Sequence, residues 1–183
     1  MNTLRISIIA TLVALCVATN YALVGVFNVK AMDFIVFIGG FCFGVYAGAF
    51  IGILSWAVYG IINPYGFVPQ VWLATMFSEA IYGIVGGLLG KNFTQIGSND
   101  QHFRLSIFFG TMGFILTLIY DLVTNVVYAS AFGIPIIVAI VFGMPVTILH
   151  EVSNAAIFGV ASIPVITVLR KLSGGELFGI SKK

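Results

Sequence analysis

The chain has 183 residues, 60% of them hydrophobic and 8% charged, with a net charge of +2 and a mean hydropathy of +1.13. A soluble domain carries roughly 25% charged residues, so this chain lacks the polar side chains to face water over its whole surface, and lipid must be its main solvent. The net charge is too small to point to a nucleic-acid partner.

A spanning helix needs about 20 apolar residues, which allows about six spans with short loops in a chain of this length. The fold class is therefore all-α: one polytopic membrane domain over residues 1–183. The first span is predicted over 4–26; its apolar run is longer than a signal-peptide core of about 7–15 residues, so it reads as a retained helix. Residues 27–31 form a loop. The run 32–63 is too long for one span and holds Gly39, Gly40, Gly44 and Gly48, so it divides into a short helix over 32–44 and a third over 45–62. The turn "NPYGFVP", 63–69, carries two prolines and a glycine that disfavour helix. A fourth helix covers 70–90, and the polar stretch 91–102 is a water-exposed loop. The fifth helix covers 103–131. An apolar, proline-containing connection over 132–143 leads to the sixth, 144–172; this connection could also be re-entrant or interfacial, and seven spans are the alternative count. Cys16 and Cys42 lie inside apolar runs and read as packing residues.

Positive charge sets orientation. With the N-terminus inside, Arg5, Lys91, Arg104, Arg170, Lys171, Lys182 and Lys183 all fall inside and Lys30 alone falls outside. Both termini are predicted to be cytoplasmic. Small residues repeat every four positions twice: Ala10, Ala14, Ala18 and Ala22 in the first helix, and Gly40, Gly44, Gly48 and Gly52 across the second and third. That spacing lines one helical face and lets helices approach closely in lipid, either inside the protein or against a partner.

Ionisable groups at membrane depth mark function by default. At about 1.5 Å of rise per residue, Glu79 lies about 14 Å from the outer end of its helix, Asp121 and Asn154 about 15 Å, and His150 about 9 Å. "HEVSN", 150–154, looks like a zinc signature with its second histidine replaced by Asn154. "DLVTN", 121–125, has the same form: a titratable residue with Asn at i+4, both on one face. The two pairs, on antiparallel helices, could line one cavity. Trp72, Thr75, Glu79 and Tyr82 add an aromatic and polar face suited to a small organic ligand. Tyr128 and Tyr120 are either ligand contacts or ordinary interface aromatics, and Asn125 and Asn154 either ligand contacts or interhelical bridges. Glu151, about 100° round the helix from His150, need not share its cavity. A catalytic zinc needs three protein ligands and an open position, and the one other histidine, His102, falls in the cytoplasmic loop. No G-x-S-x-G occurs for a serine hydrolase, and "GGLLGKN" departs from a phosphate-binding loop at Val85 and Asn92. No catalytic residue, metal or cofactor is expected.

The alanine ladder, "MDFIVFIGGFCFGVYAGAFIGILSW" leading into "NPYGF", "YDLVTN" and "HEVSNA" together resemble the substrate-binding S component of energy-coupling factor (ECF) transporters, over about residues 5–171. The resemblance implies a six-helix subunit in the plasma membrane, not an enzyme, that binds a vitamin or vitamin-like micronutrient from outside. Its pocket would be roofed by the loop after the first helix and by outward loops, and walled by the last three helices. It would dock onto a transmembrane coupling protein carrying two ATPase subunits and tip in the membrane to deliver its ligand. Carried over residue by residue, Ala10, Ala14 and Ala18 become docking residues, and Asp121, Asn125, His150 and Asn154 ligand residues, beside Trp72, Glu79 and Tyr128 from the depth reading. Carboxylates at Glu79 and Asp121, and Glu151 if it turns inward, set against His150 and Lys30, suggest a ligand with an amine, a cationic ring or several donors, a pyridine, pyrimidine or flavin-like compound rather than an anionic vitamin such as biotin. The alternatives are a stand-alone secondary transporter or channel, with Glu79, Asp121 and His150 as a proton relay, and an intramembrane enzyme.

Overall fold

The computed structural model describes residues 3–26, 28–64, 66–92 and 99–172. They form six helices: α1 (Thr3–Ala22), α2 (Met32–Phe43), α3 (Val45–Ile61), α4 (Pro69–Asn92), α5 (Asn99–Phe132) and α6 (Ile136–Leu172). Four of these, α1, α4, α5 and α6, are long and apolar enough to cross a membrane; α2 and α3 are shorter apolar helices. The molecule is a multi-pass, all-α membrane protein. The middle of the predicted polar loop, 93–98, and the tail after 172 lie outside the described residues.

α2 is the hub. Ten of its twelve residues are buried, and α1, α3, α4 and α6 all pack against it. A helix apolar all round belongs in the middle of a bundle, and this one carries Phe34, Val36, Phe37, Ile38 and Phe41 on successive faces. Its Phe37 ring meets Phe158 of α6 at 5.1 Å and Phe109 of α5 at 6.0 Å between centroids. α3 turns back directly. Gly44 takes φ 93° and ψ 169°, a left-handed region that a side chain resists. Its N–H still donates to the Gly40 carbonyl at 2.7 Å, so the chain reverses with one non-helical residue.

The predicted glycine stripe lies inside the protein. A Cβ on Gly40 or on Gly48 would overlap the backbone of Gly83 in α4, and one on Gly83 would overlap the Gly48 backbone. α2, α3 and α4 thus touch main chain to main chain, the contact small residues permit in lipid, where no hydrophobic force draws helices together.

The largest departure from the sequence reading is at 132–143. Gly133, at φ 66°, makes the turn after α5, and α6 then begins at Ile136 rather than Met144. The proline at 135 precedes the helix, and its carbonyl accepts from the N–H of Val138 (2.9 Å) and Ala139 (3.2 Å). Flanking prolines suggested a connection; between them, "IIVAIVFG" has nothing to stop a helix. Pro145 lies inside α6, and long membrane helices tolerate such interruptions. At the other end of the prediction, 23–26 form turns rather than the last turn of α1.

Replacing Gly83 by Ala should cost about 1–3 kcal/mol through overpacking and lower the melting temperature in detergent, whereas Gly25→Ala, at a position with nothing within 4 Å, should leave it unchanged.

Candidate functional site

Three elements converge on His150, which is fully buried. α6 supplies the imidazole. Its Nδ1 lies 3.1 and 3.2 Å from the two carboxyl oxygens of Asp121 on α5, and its Nε2 lies 2.8 Å from Asp33 Oδ2 at the start of α2. An ionised carboxylate only accepts. The ring therefore carries protons on both nitrogens between two carboxylates, or one of the carboxyl groups holds a proton of its own. In either state each nitrogen has a partner, which a polar group in hydrocarbon requires.

One turn on, Asn154 extends the cluster. Its Nδ2 donates to Asp33 Oδ2 at 2.6 Å and to Thr117 Oγ1 at 2.7 Å. Thr117 is saturated: it also accepts from the Tyr82 hydroxyl at 2.9 Å and donates to the Gly113 carbonyl at 2.8 Å. Asn154 thus bridges three helices, and its i+4 relation to His150 aims both side chains at Asp33. Glu79 of α4 accepts from the Trp56 indole N–H at 3.2 Å through Oε2, while among the described residues its Oε1 and Asp33 Oδ1 find no hydrogen-bond partner. Glu151 points elsewhere and has its own unpartnered oxygen.

Beside this network, at the end of the bundle opposite Arg5 and Lys91, lies a cavity of about 540 Å³. Ligand pockets run from about 300 to 1,000 Å³. Its polar lining comprises Asn28, Lys30, Thr75, Tyr120, Asp121, Thr124, Asn125, Tyr128 and Thr147, and the start of α6 adds Val138, Phe142 and Val146. Asp121 is common to cavity and network. A second cavity of about 250 Å³, beneath 23–29, shares Asn28, Lys30, Trp56 and Val146 with the first. Lys30 lies between the two, its Nζ 5.6 Å from the Trp56 ring centroid and 5.2 Å from that of Tyr120.

The predicted ligand residues therefore divide. Asp121, Asn125 and Tyr128 line the cavity. His150, Asn154 and Glu79 are buried behind it, engaged with protein partners. Trp72 lines a neighbouring cleft with Phe67 and Tyr128, its indole N–H donating to the Trp56 carbonyl at 3.0 Å. Asn125 holds α6 loosely, Nδ2 to Thr147 Oγ1 at 3.5 Å. On α1, Ala10, Ala14, Ala18 and Ala22 are all exposed, while Ile9, Cys16 and Asn20 face the core; the alanine stripe is not internal packing.

Sequence reasoning passed over Asp33, which lies one residue inside α2 and so reads as an interfacial acid. The available signal was a lone carboxylate opening an otherwise apolar run, "MDFIV". Thr117 and Trp56 gave no such signal. Among the described residues, no group of three or more His, Cys, Asp or Glu is placed to hold a metal ion. The chain matches no protein-family model, no curated protein and no solved structure.

Breaking a buried charged pair costs about 3–5 kcal/mol because the remaining charge loses its partner. Asp33→Ala and His150→Ala should each destabilise on that scale. The double variant should fall well short of the sum, a coupling that thermal melting of the four proteins would measure.

Proposed function

We propose that this protein is a membrane transport protein that takes a small organic solute into the 540 Å³ cavity at its Lys30 end. One observation carries this: Asp121 belongs at once to the cavity wall and to the buried Asp33–His150–Asp121 chain. An intramembrane ionisable chain reaching a solute-sized cavity marks a substrate or proton path. The positive-charge bias puts Arg5, Lys91 and Arg104 on the cytoplasmic side and Lys30 outside, so the solute enters from outside, across the plasma membrane of a cell.

The buried chain bears most directly on a stand-alone secondary transporter. His150, with a carboxyl group at each ring nitrogen, can pass a proton from one to the other, and Glu79 and Asp33 each keep a buried oxygen with no hydrogen-bond partner among the described residues. Emptying or filling the cavity alters the surroundings of Asp121, which couples solute to proton.

The second reading is the S component of an ECF-type importer, capturing a vitamin-like micronutrient for a transmembrane coupling protein with two ATPase subunits. Two things favour it: the motif resemblance, and the exposure of Ala10, Ala14 and Ala18 along one face of α1. Three small exposed side chains make a flat helix surface that a partner helix could approach. In neither reading is the protein an enzyme.

Reconstitution separates the two. The protein is purified in mild detergent, any bound compound is identified by mass spectrometry, and the same compound is offered to liposomes holding the protein alone. Uptake that follows an imposed proton gradient and is lost in His150→Gln supports the first reading. A tightly bound compound with no uptake by the protein alone supports the second; Ala14→Trp should then keep binding and lose uptake in cells. In both cases Asn125→Leu should weaken binding severalfold, the scale of about 0.5–1.5 kcal/mol for a hydrogen bond. No bound compound and no uptake would refute both.

A further inference from the structure

We propose that Lys30 is the specificity-determining residue of the cavity, and that the solute is a small organic acid: an anionic head held by the Lys30 ammonium and an apolar or aromatic body against the start of α6. This rests on the cavity being the solute site and names the class of solute it takes.

Of the charged groups the sequence set at this cavity, Asp121 and Lys30 are in its wall. Glu79 does not reach it; that side chain is fully buried and bonded to Trp56. Among the described residues Asp121 is the one carboxylate in the wall, and both its oxygens face His150 Nδ1. Lys30 is in the opposite situation. Among the described residues it makes no ion pair. Its ammonium is held by two aromatic faces, Trp56 and Tyr120. Cation–π contacts hold a cation by its charge. Asp33 and Glu79 are within its electrostatic reach, but among the described residues no hydrogen bond or ion pair takes up the ammonium, so the cavity presents a positioned, half-buried cation.

The rest of the lining fits an anion with an apolar body. Tyr120 and Tyr128 add aromatic surface to the lining. Val138, Phe142 and Val146 of α6, with Val71 of α4, form the apolar side. Phe142 borders the cavity and is 78% exposed, so part of its ring is open to the solute and part to lipid. A cationic solute would meet Lys30 head-on and find Asp121 already occupied.

The test uses one aromatic body with three charges: 4-hydroxyphenylacetate, its amide and tyramine, titrated calorimetrically into the full protein in detergent. The acid should bind at least tenfold tighter than the amine, with the amide between. Lys30→Met should abolish the difference, and Lys30→Arg should keep it. Melting temperatures of both variants, matched to the wild type, establish that they fold. Tyramine binding as tightly as the acid, or an acid preference that survives Lys30→Met, overturns the proposal while leaving the cavity a solute site. Binding of none of the three overturns the proposed class, and the uptake experiment then decides the cavity reading by itself.

Discussion

An imidazole with no water in reach must find a protein partner for each nitrogen, and the partners available to His150 dictate where α2 can lie. Asp121 comes from the adjoining antiparallel helix and needs no special arrangement. Asp33 does. For its carboxylate to reach Nε2 at 2.8 Å, the first turn of α2 must begin beneath the Lys30 end of the bundle, surrounded by other helices. A helix that begins there and is only twelve residues long must turn back early, and Gly44 makes that turn. The chain between α1 and α2 must in turn fold over the top, which brings Asn28 and Lys30 into the cavity wall. Asn28 is fixed there by donating its side-chain N–H to the Val146 carbonyl at 2.8 Å.

The bundle is held by two different kinds of contact. On the α2–α3–α4 side, glycine backbones touch and side chains interdigitate around them; the contact is dry, apolar and dense. On the α5–α6 side, polar groups line the interior, and the cavity opens between the helices. α1 stands apart, with Ile9, Cys16 and Asn20 inward and a smooth alanine face outward.

Much of the fold was legible because it follows from apolar run length and from glycine and proline placement. The six helices are of this kind, and so is the division of 32–62 into two short helices, which the glycines announced. The extension of α6 over 136–143 was less legible: flanking prolines hid a segment whose interior is wholly helix-compatible. Half of the polar cluster was also readable, since the i+4 pairs Asp121–Asn125 and His150–Asn154 are local patterns. What separates them is tertiary. His150 and Asn154 turn towards Asp33, 117 and 121 residues away in sequence, and no local pattern encodes that separation. Asp121 and Asn125 face the cavity instead. Of the charged groups read at the outer cavity, Asp121 and Lys30 line it, while Glu79 and His150 are buried behind it against protein partners, a division that no local pattern encodes.

The Gly44 reversal also bears on how the chain enters the membrane. A helix of twelve residues rises about 18 Å, against a hydrocarbon core about 30 Å thick, and α2 carries a carboxylate in its first turn. Such a segment is a poor span by itself. Joined to α3 by a single residue, it forms a hairpin whose two arms already touch at Gly40 and Gly48, and the pair can partition into lipid as one unit. Asp33 meets its histidine partner only once α6 is in place beside the hairpin, so the first turn of α2 is completed by the last helix of the chain.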